Sequence, residues 1–330
     1  MRYAIKDIAK LAGVSKATVS RVLNDSKPVS QEVRDRVMKV IEETNYRPSS
    51  LARSLSIKET RIIGVIIPDI SNPVFSKMLN GIESRAIEDN YTVFLCNTRY
   101  DFDMELRYID LMREKEVDGI IMAAFHYSEE MTERLKQFGK PIVMVSFDSE
   151  HWNYPKVVID NHAAAYEMTS YLIKTGRKKI AMIHGPFNDF NTGLARYKGY
   201  ASALQEQHLT QSDSLHYQGN YKYETGFSGA KYLIENNKDL DAIFCANDEM
   251  AFGAIKALTQ DGYRVPEDVA VTGFDDIDFA KLFSPSLTTV RQDFELRGAS
   301  AVALVLDQIA GKPTAEKIVH DYELIIREST

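Results

Sequence analysis

Two sets of residues in this 330-residue chain are equipped for chemistry. The first is local. On a helix, Lys16, Ala17, Ser20 and Arg21 share one face while Val19, Val22 and Leu23 share another. A cationic, hydroxylic face backed by an apolar one suits entry into a DNA major groove. The Arg21 guanidinium can bond guanine O6 and N7 together, worth ~1–3 kcal/mol of discrimination, and Ala17 offers a methyl-sized contact. Ser15, Thr18, Ser20, Asn24 and Tyr46 carry groups suited to phosphate oxygens. The second set is scattered, and each member follows an apolar run or opens the next helix. Asp69 follows IIGVIIP and Phe75 opens a helix. Ser146 and Phe147 follow IVMV, and Asp160 and Asn161 follow VVI. Thr192 and Arg196 come after AMIHGP, Asn247 and Asp248 after AIFCA, and Asp275 and Asp276 after AVTGF. Carboxylate, guanidinium and amide groups pair hydroxyls in a forked way, and aromatic faces cover C–H surfaces, so this set suits a small polyhydroxylated ligand. Asp69, Asp160, Asp248 and Asp276 also suit helix caps or turns.

The elements that position the first set are three short helices. Ile5, Ile8, Ala9 and Ala12 recur at helical spacing, and Gly13 can end that helix in the left-handed conformation. Ser15 is an N-cap for the second helix, its hydroxyl accepting from the amide near Thr18. Ser30 is expected to cap a third, whose inner face is Val33, Val37, Val40 and Ile41. A helix pair alone is a common pattern; charge adds to it. Residues 1–60 hold 12 of the 40 Lys/Arg and 7 of the 47 Asp/Glu, so a head of net +5 precedes a body of net −12. A basic head on an acidic body is the electrostatic footprint of a DNA-binding domain on a core that does not bind DNA.

The second set requires strands. Apolar runs at 62–67, 92–96, 119–123, 142–145, 179–183, 242–246 and 269–273 alternate with helical stretches at 75–89, 163–175, 194–207, 223–236 and 250–261. That alternation predicts parallel sheets covered on both faces, with ligands bound in the crevice at the strands' C-terminal ends. Cys96 and Cys245 sit in apolar runs and are expected to be reduced core residues.

Residues 4–55 resemble the headpiece of the LacI/GalR family of bacterial transcription regulators, through IKDIAKLAGVS, ATVSRVLN and VSQEVRDRVMKVIEETNYRPSSLARSLS. The likeness continues through TRIIGVIIPDISNPVFSKMLNGIE, VVIDNHAAAYEMTSYLI, RYKGY, AIFCANDEMAFGAIKAL, VPEDVAVTGFDDI, SPSLTTVRQD and LIIREST, and covers essentially the whole chain. It implies an α/β fold: a three-helix helix-turn-helix head at 1–47, a hinge helix or linker at 48–60, and a two-lobed, periplasmic-binding-protein-like core at 61–330. The lobes are expected at 61–160 with 291–320 and at 161–290 with 321–330, the chain crossing near Asp160, Val290 and His320. It implies base reading by Lys16, Ala17 and Arg21, backbone contact by Arg53, and Leu55 wedged into the minor groove at the centre of a bent operator. It also places Phe75, Thr192, Arg196, Tyr221, Asn247 and Asp275 at effector positions. Many sugar-responsive relatives carry Asp where this chain has Ser146. The purine-responsive one carries Arg where this chain has Phe190, which argues here for a sugar held among Phe75, Phe147 and Phe190.

The functional expectation is a dimeric repressor of carbohydrate-utilisation genes on near-palindromic double-stranded DNA, with a small sugar-like effector. The alternative is a global catabolite regulator answering to a phosphorylated carrier protein. One head reads one half-site, so a two-fold dimer is expected, its contacts on the helices at 75–86 and 250–260. No trailing Leu heptad follows YELIIREST, so no tetramer is expected. Enzyme readings find no GxGxxG, P-loop or GxSxG; Phe227-Ser228-Gly229 lacks the spacing, and Asp275-Asp276 lacks an acid/base partner. His126, His151, His162 and His184 show no metal spacing, so neither metal nor cofactor is expected. A secreted sugar-binding protein would need a signal segment, which MRYAIKDIAK does not resemble. No apolar run reaches the ~20 residues of a membrane span, and a cytoplasmic protein is expected.

Overall fold

The computed structural model describes residues 3–24, 28–46, 59–123, 127–148 and 152–330. They fall into two compact units, Met1–Thr60 and Arg61–Thr330. In the head, α1 (Ile5–Leu11), α2 (Lys16–Asn24) and α3 (Gln31–Thr44) bury Ile8, Ala9, Ala12, Val19, Val22 and Val37 together, with Val33, Val40 and Ile41 packed against them. Gly13 takes φ 66 between α1 and α2, a conformation open to glycine without a Cβ clash. The Thr18 amide donates to Ser15 Oγ at 3.1 Å, closing the first turn of α2. Ser30 occupies the N-cap position of α3 but its hydroxyl makes no cap bond, so the helix starts on backbone bonding, Arg34 N to Ser30 O at 3.0 Å.

The body opens with β1 (Ile62–Ile67), α4 (Pro73–Glu88), β2 (Thr92–Asn97), α5 (Phe102–Glu114), β3 (Gly119–Met122), α6 (Glu129–Phe138), β4 (Ile142–Val145) and β5 (Lys156–Ile159). It continues through α7 (Asn161–Lys174), β6 (Ile180–His184), α8 (Gly193–Glu206), β7 (His216–Gln218), α9 (Tyr223–Asn236), β8 (Ala242–Cys245), α10 (Asp248–Gln260) and β9 (Ala270–Thr272). Then come β10 (Thr289–Gln292), α11 (Phe294–Ile309), β11 (Lys317–His320) and β12 (Tyr322–Ile325). A six-stranded sheet has the order β11-β5-β4-β3-β1-β2 and a four-stranded sheet the order β7-β6-β8-β9. Every pairing in both is parallel. The chain leaves the first sheet at Asp160, returns through β10, and ends in β12, which pairs antiparallel with β10.

These are α/β lobes of the expected class. Strands β3, β4, β6 and β8 are buried at every residue, because helices cover both faces of each sheet; that is why they read as unbroken apolar runs. The first lobe has an apolar layer on each side of its sheet, one with Met78, Ile82, Val302 and Val305, the other with Leu106, Ile109, Met112 and Leu135. The second is built around Ala165, Met168, Leu204, Leu233, Phe244 and Ile255. Helices α4 and α11 cross at backbone contact: a Cβ on Gly81 would lie 2.0 Å from the Glu295 carbonyl oxygen. Cys96 and Cys245 are free and buried. Among the described residues no helix is long and apolar enough to cross a membrane.

Candidate functional site

The C-terminal ends of strands from both sheets face a cleft that opens to solvent, the place where open parallel sheets bind ligands. Seven expected residues line it: Phe75, Ser146, Thr192, Arg196, Tyr221, Asn247 and Asp275. Arg196, on the first turn of α8, is only 5% exposed. Its Nε donates to Asn161 Oδ1 at 2.9 Å and its Nη1 to the Ala246 carbonyl. Its Nη2 lies 3.7 Å from Asp275 Oδ1, and its guanidinium carbon stacks 3.5 Å from the centre of the Phe274 ring. Burial pushes the Asp275 carboxyl up to about 6, against the pull of Arg196 and Arg297. Asn247 caps α10 by accepting from Met250 N at 3.0 Å and donates to the Tyr221 carbonyl at 2.9 Å. The Tyr221 hydroxyl donates to Asp189 Oδ2 at 2.6 Å. Burial, then the Asp189 charge, holds its phenol well above the usual range.

The backbone is strained where it meets this cleft. Tyr100, Ser146, Tyr221 and Asp275 have φ of 60, 57, 66 and 121, a region that side chains with a Cβ seldom occupy. Non-glycine residues held there cost on the order of 1–3 kcal/mol each and gather at binding sites.

Two expected effector residues lie elsewhere. Phe147 turns into the core of the first lobe, its ring 5.0 Å from that of Trp152. It follows Ser146 directly, and neighbouring residues beyond a strand point apart. Asp160 accepts from Ala163 N at 2.8 Å as the cap of α7 and borders a neighbouring depression. Phe190 is 64% exposed and borders that same depression, so the expected wall of Phe75, Phe147 and Phe190 does not exist; Phe75 is joined instead by Phe294. Asp248 and Asp276 are structural. Asp248 accepts from Thr289 Oγ1 at 2.5 Å and Ile277 N at 2.8 Å. Asp276 pairs with Arg327 at 2.6 Å and Arg291 at 2.7 Å.

The structure adds lining residues that the strand-end pattern does not reach: Asn72, Tyr100, Asp189, Gln292, Phe294 and Arg297. Gln292 ends β10, and Phe294 and Arg297, three apart, share the first turn of α11. Gln292 Nε2 donates to Asp275 Oδ1 at 2.7 Å, and Arg297 Nη2 to Gln292 Oε1 at 2.6 Å. A polar residue at the end of a crossing strand, followed by an i, i+3 pair, is the signal that would have found them.

In the head, Ser15, Lys16, Ala17 and Arg21 are exposed, and Thr18 and Ser20 partly so. The Ser15 and Thr18 hydroxyls lie 2.9 Å apart and bond one another, so both stand together at the N-terminal end of α2. Tyr46 packs partly against the head's apolar cluster. The Asn24 side chain, Arg53 and Leu55 lie outside the described residues. No His/Cys/Asp/Glu cluster suited to a metal occurs among the described residues.

Residues 4–49 match the family described as bacterial regulatory proteins, lacI family. Residues 60–327 match periplasmic binding proteins and sugar binding domain of LacI family. The HTH-type transcriptional repressor PurR of Vibrio atlanticus (strain LGP32) is 36% identical over 99% of this chain and 98% of that protein. The HTH-type transcriptional regulator RegA of Clostridium saccharobutylicum is 36% identical over 100% of both. A solved transcriptional regulator CelR–cellobiose complex superposes with a TM-score of 0.77 at 30% identity, covering 100% of both chains. With a helix-turn-helix head, a two-lobed ligand domain and matches across both, the chain belongs to the LacI family and is a DNA-binding transcription regulator.

Proposed function

We propose that this regulator is a cytoplasmic, dimeric repressor of carbohydrate-utilisation genes, and that a small sugar-type effector in the interlobe cleft controls its grip on a near-palindromic operator. The observation that carries the reading is the convergence of Arg196, Asn247 and Asp275 with Phe75 and Phe294 on one cleft: forked polar groups with aromatic faces, as a polyhydroxylated ring requires. The family's description as a sugar binding domain and the cobound cellobiose of one similar structure point the same way. In the head, Lys16, Ala17 and Arg21 read bases while Ser15, Thr18, Ser20, Asn24, Tyr46 and Arg53 hold phosphates, and Leu55 acts as the wedge. Phe190 stands off the cleft, so its identity is no argument against a purine, and purines belong in the test.

The test has two arms. An operator is selected from random duplexes with the full chain, and a thermal-shift screen covers monosaccharides, disaccharides, sugar acids, sugar phosphates and purines. The expected outcome is a stabilising sugar-type compound that also changes operator affinity. A stabilising compound that leaves operator affinity untouched would sink the proposal, as would stabilisation by purines alone. Retention of the chain by a phosphorylated carrier protein, with no sugar response, would establish the catabolite-control alternative instead.

A further inference from the structure

Within the cleft, Arg297 makes no direct ion pair among the described residues; Asp275 acts on it only from beyond contact. Arg297 is 3% exposed. Its Nη1 donates to Ser146 Oγ at 2.9 Å and its Nη2 to Gln292 Oε1 at 2.6 Å, both neutral. Its Nε has no hydrogen-bond partner among the described residues. The carboxylates around it are committed. Asp275 takes Gln292 Nε2 and faces Arg196. Asp293 caps α11 through Leu296 N at 2.8 Å. Burial, opposed by Asp275 and reinforced by Arg196, brings the Arg297 guanidinium down to about 10, so it still carries its charge at neutral pH. Buried charges are ordinarily paired, because an unpaired one forfeits its hydration without return.

We infer that the effector bears a carboxylate or phosphate, and that this oxyanion is the missing partner of Arg297 at the Ser146 end of the cleft. The inference rests on the effector reading above and narrows it to acidic sugars. A guanidinium edge offers an oxyanion two parallel donors, and Ser146 Oγ stands beside it. The hydroxyls of the same ligand then reach Arg196, Asn247 and Asp275.

Isothermal titration of the full chain against D-glucuronate, D-gluconate, D-glucose 6-phosphate and D-glucose tests this. At least one acidic probe is expected to bind about tenfold or more tighter than glucose, the scale of one charge-assisted hydrogen bond. Sugar acids and the phosphate ester form separate arms, so the titration also says which oxyanion fits. Arg297→Leu should erase the preference. It should also leave the ligand-free chain melting at or above the parent temperature, since an unpaired buried charge is replaced by an apolar group. A variant melting several degrees lower would make Arg297 a structural residue and overturn the inference. Glucose binding as tightly as every acidic probe, unchanged in Arg297→Leu, would overturn it while leaving the sugar-effector reading intact. Failure of all four probes to bind would overturn it, and the purine and disaccharide arms of the earlier screen would then decide that reading.

Discussion

Arg196 and Asp275 set the chemistry of the cleft, and both are buried. A carboxyl raised to about 6 by burial is protonated at pH 5 and ionised at pH 7.5. The ionised form can accept ligand hydroxyls and oppose Arg196, so effector affinity should fall as pH drops through about 6. In Asp275→Asn, affinity measured by calorimetry should be lower by roughly 10–100-fold, the value of a charged hydrogen bond, and flat between those pH values. For stability the sign is opposite. Between about 4, where a carboxyl in the unfolded chain releases its proton, and about 6, the folded chain holds one proton more. This group's contribution to stability therefore declines as pH rises across that window. In the head, the exposed Arg21 permits a cleaner test. Arg21→Ala should keep the melting temperature and lose roughly tenfold or more of the preference for selected operator over random duplex, the worth of one bidentate base contact; equal preference would refute base reading by Arg21. The residue types at strand ends were a legible guide to Arg196, Asn247 and Asp275, because parallel strands deliver their C-terminal ends to one crevice. They misled at Phe147 and Asp160, where of two adjacent residues only Ser146 and Asn161 face the cleft. They missed Arg297, whose helix follows a strand too short and too polar to stand out.

At the scale of elements, buried strands showed themselves through apolar runs, and β1 and β4 fall at the expected bounds. The edge strand β7, HYQ, is only partly buried and so carries no such run. Helices α5, α6 and α11 were absent from the expected set. Charged residues dominate the first two, α5 burying a narrow stripe of Leu106, Ile109 and Met112 and α6 one of Met131, Leu135 and Phe138. Helix α11 is apolar along most of its length, and its pattern was passed over. What apolar patterning could not reveal is how closely the helices approach. Gly81 of α4 meets the Glu295 carbonyl of α11, and Gly253 of α10 would bring a Cβ 2.1 Å from the Tyr223 carbonyl oxygen. Both obstacles are backbone, so neither yields by a side-chain rotation. Gly81→Ala should therefore push α4 from α11 and cost about 1–3 kcal/mol, as overpacking does. A thermal melt should show a fall of several degrees, at roughly 2–4 °C per kcal/mol for a chain of this size class. An unchanged melt would mean that the two helices can separate without loss. Because α11 also carries Phe294 and Arg297 into the cleft, the same variant should weaken effector binding.

Taken whole, the body is two lobes joined by three passages of chain, with charged pairs bridging the cleft between them. Lys222, just before α9, reaches Asp69, just after β1, at 2.8 Å. Lys77 on α4 reaches Asp278 in the second lobe at 3.0 Å. Each pair ties the lobes at the cleft's edge and is satisfied only when they are close. We propose that an effector acts by favouring one angle between the lobes; a coupling of ~1–3 kcal/mol then changes operator affinity 5–150-fold. Partly exposed ion pairs are worth at most about 1 kcal/mol each, so together they lie within that coupling range without exceeding it. They are therefore able to bias the lobe angle but not to lock it. Lys77→Met with Lys222→Met should leave the fold intact, shift the ligand-free body toward separation, and weaken effector binding by no more than about fivefold per pair. The effector's leverage over operator should change in parallel, as that linkage requires. Calorimetry on the full chain, paired with operator titrations at saturating effector, reads both quantities. Unaltered or tighter effector binding in the double variant would show that the bridges do not favour the closed cleft, and control would then have to reside in Arg196, Arg297 and the crossing strand β10.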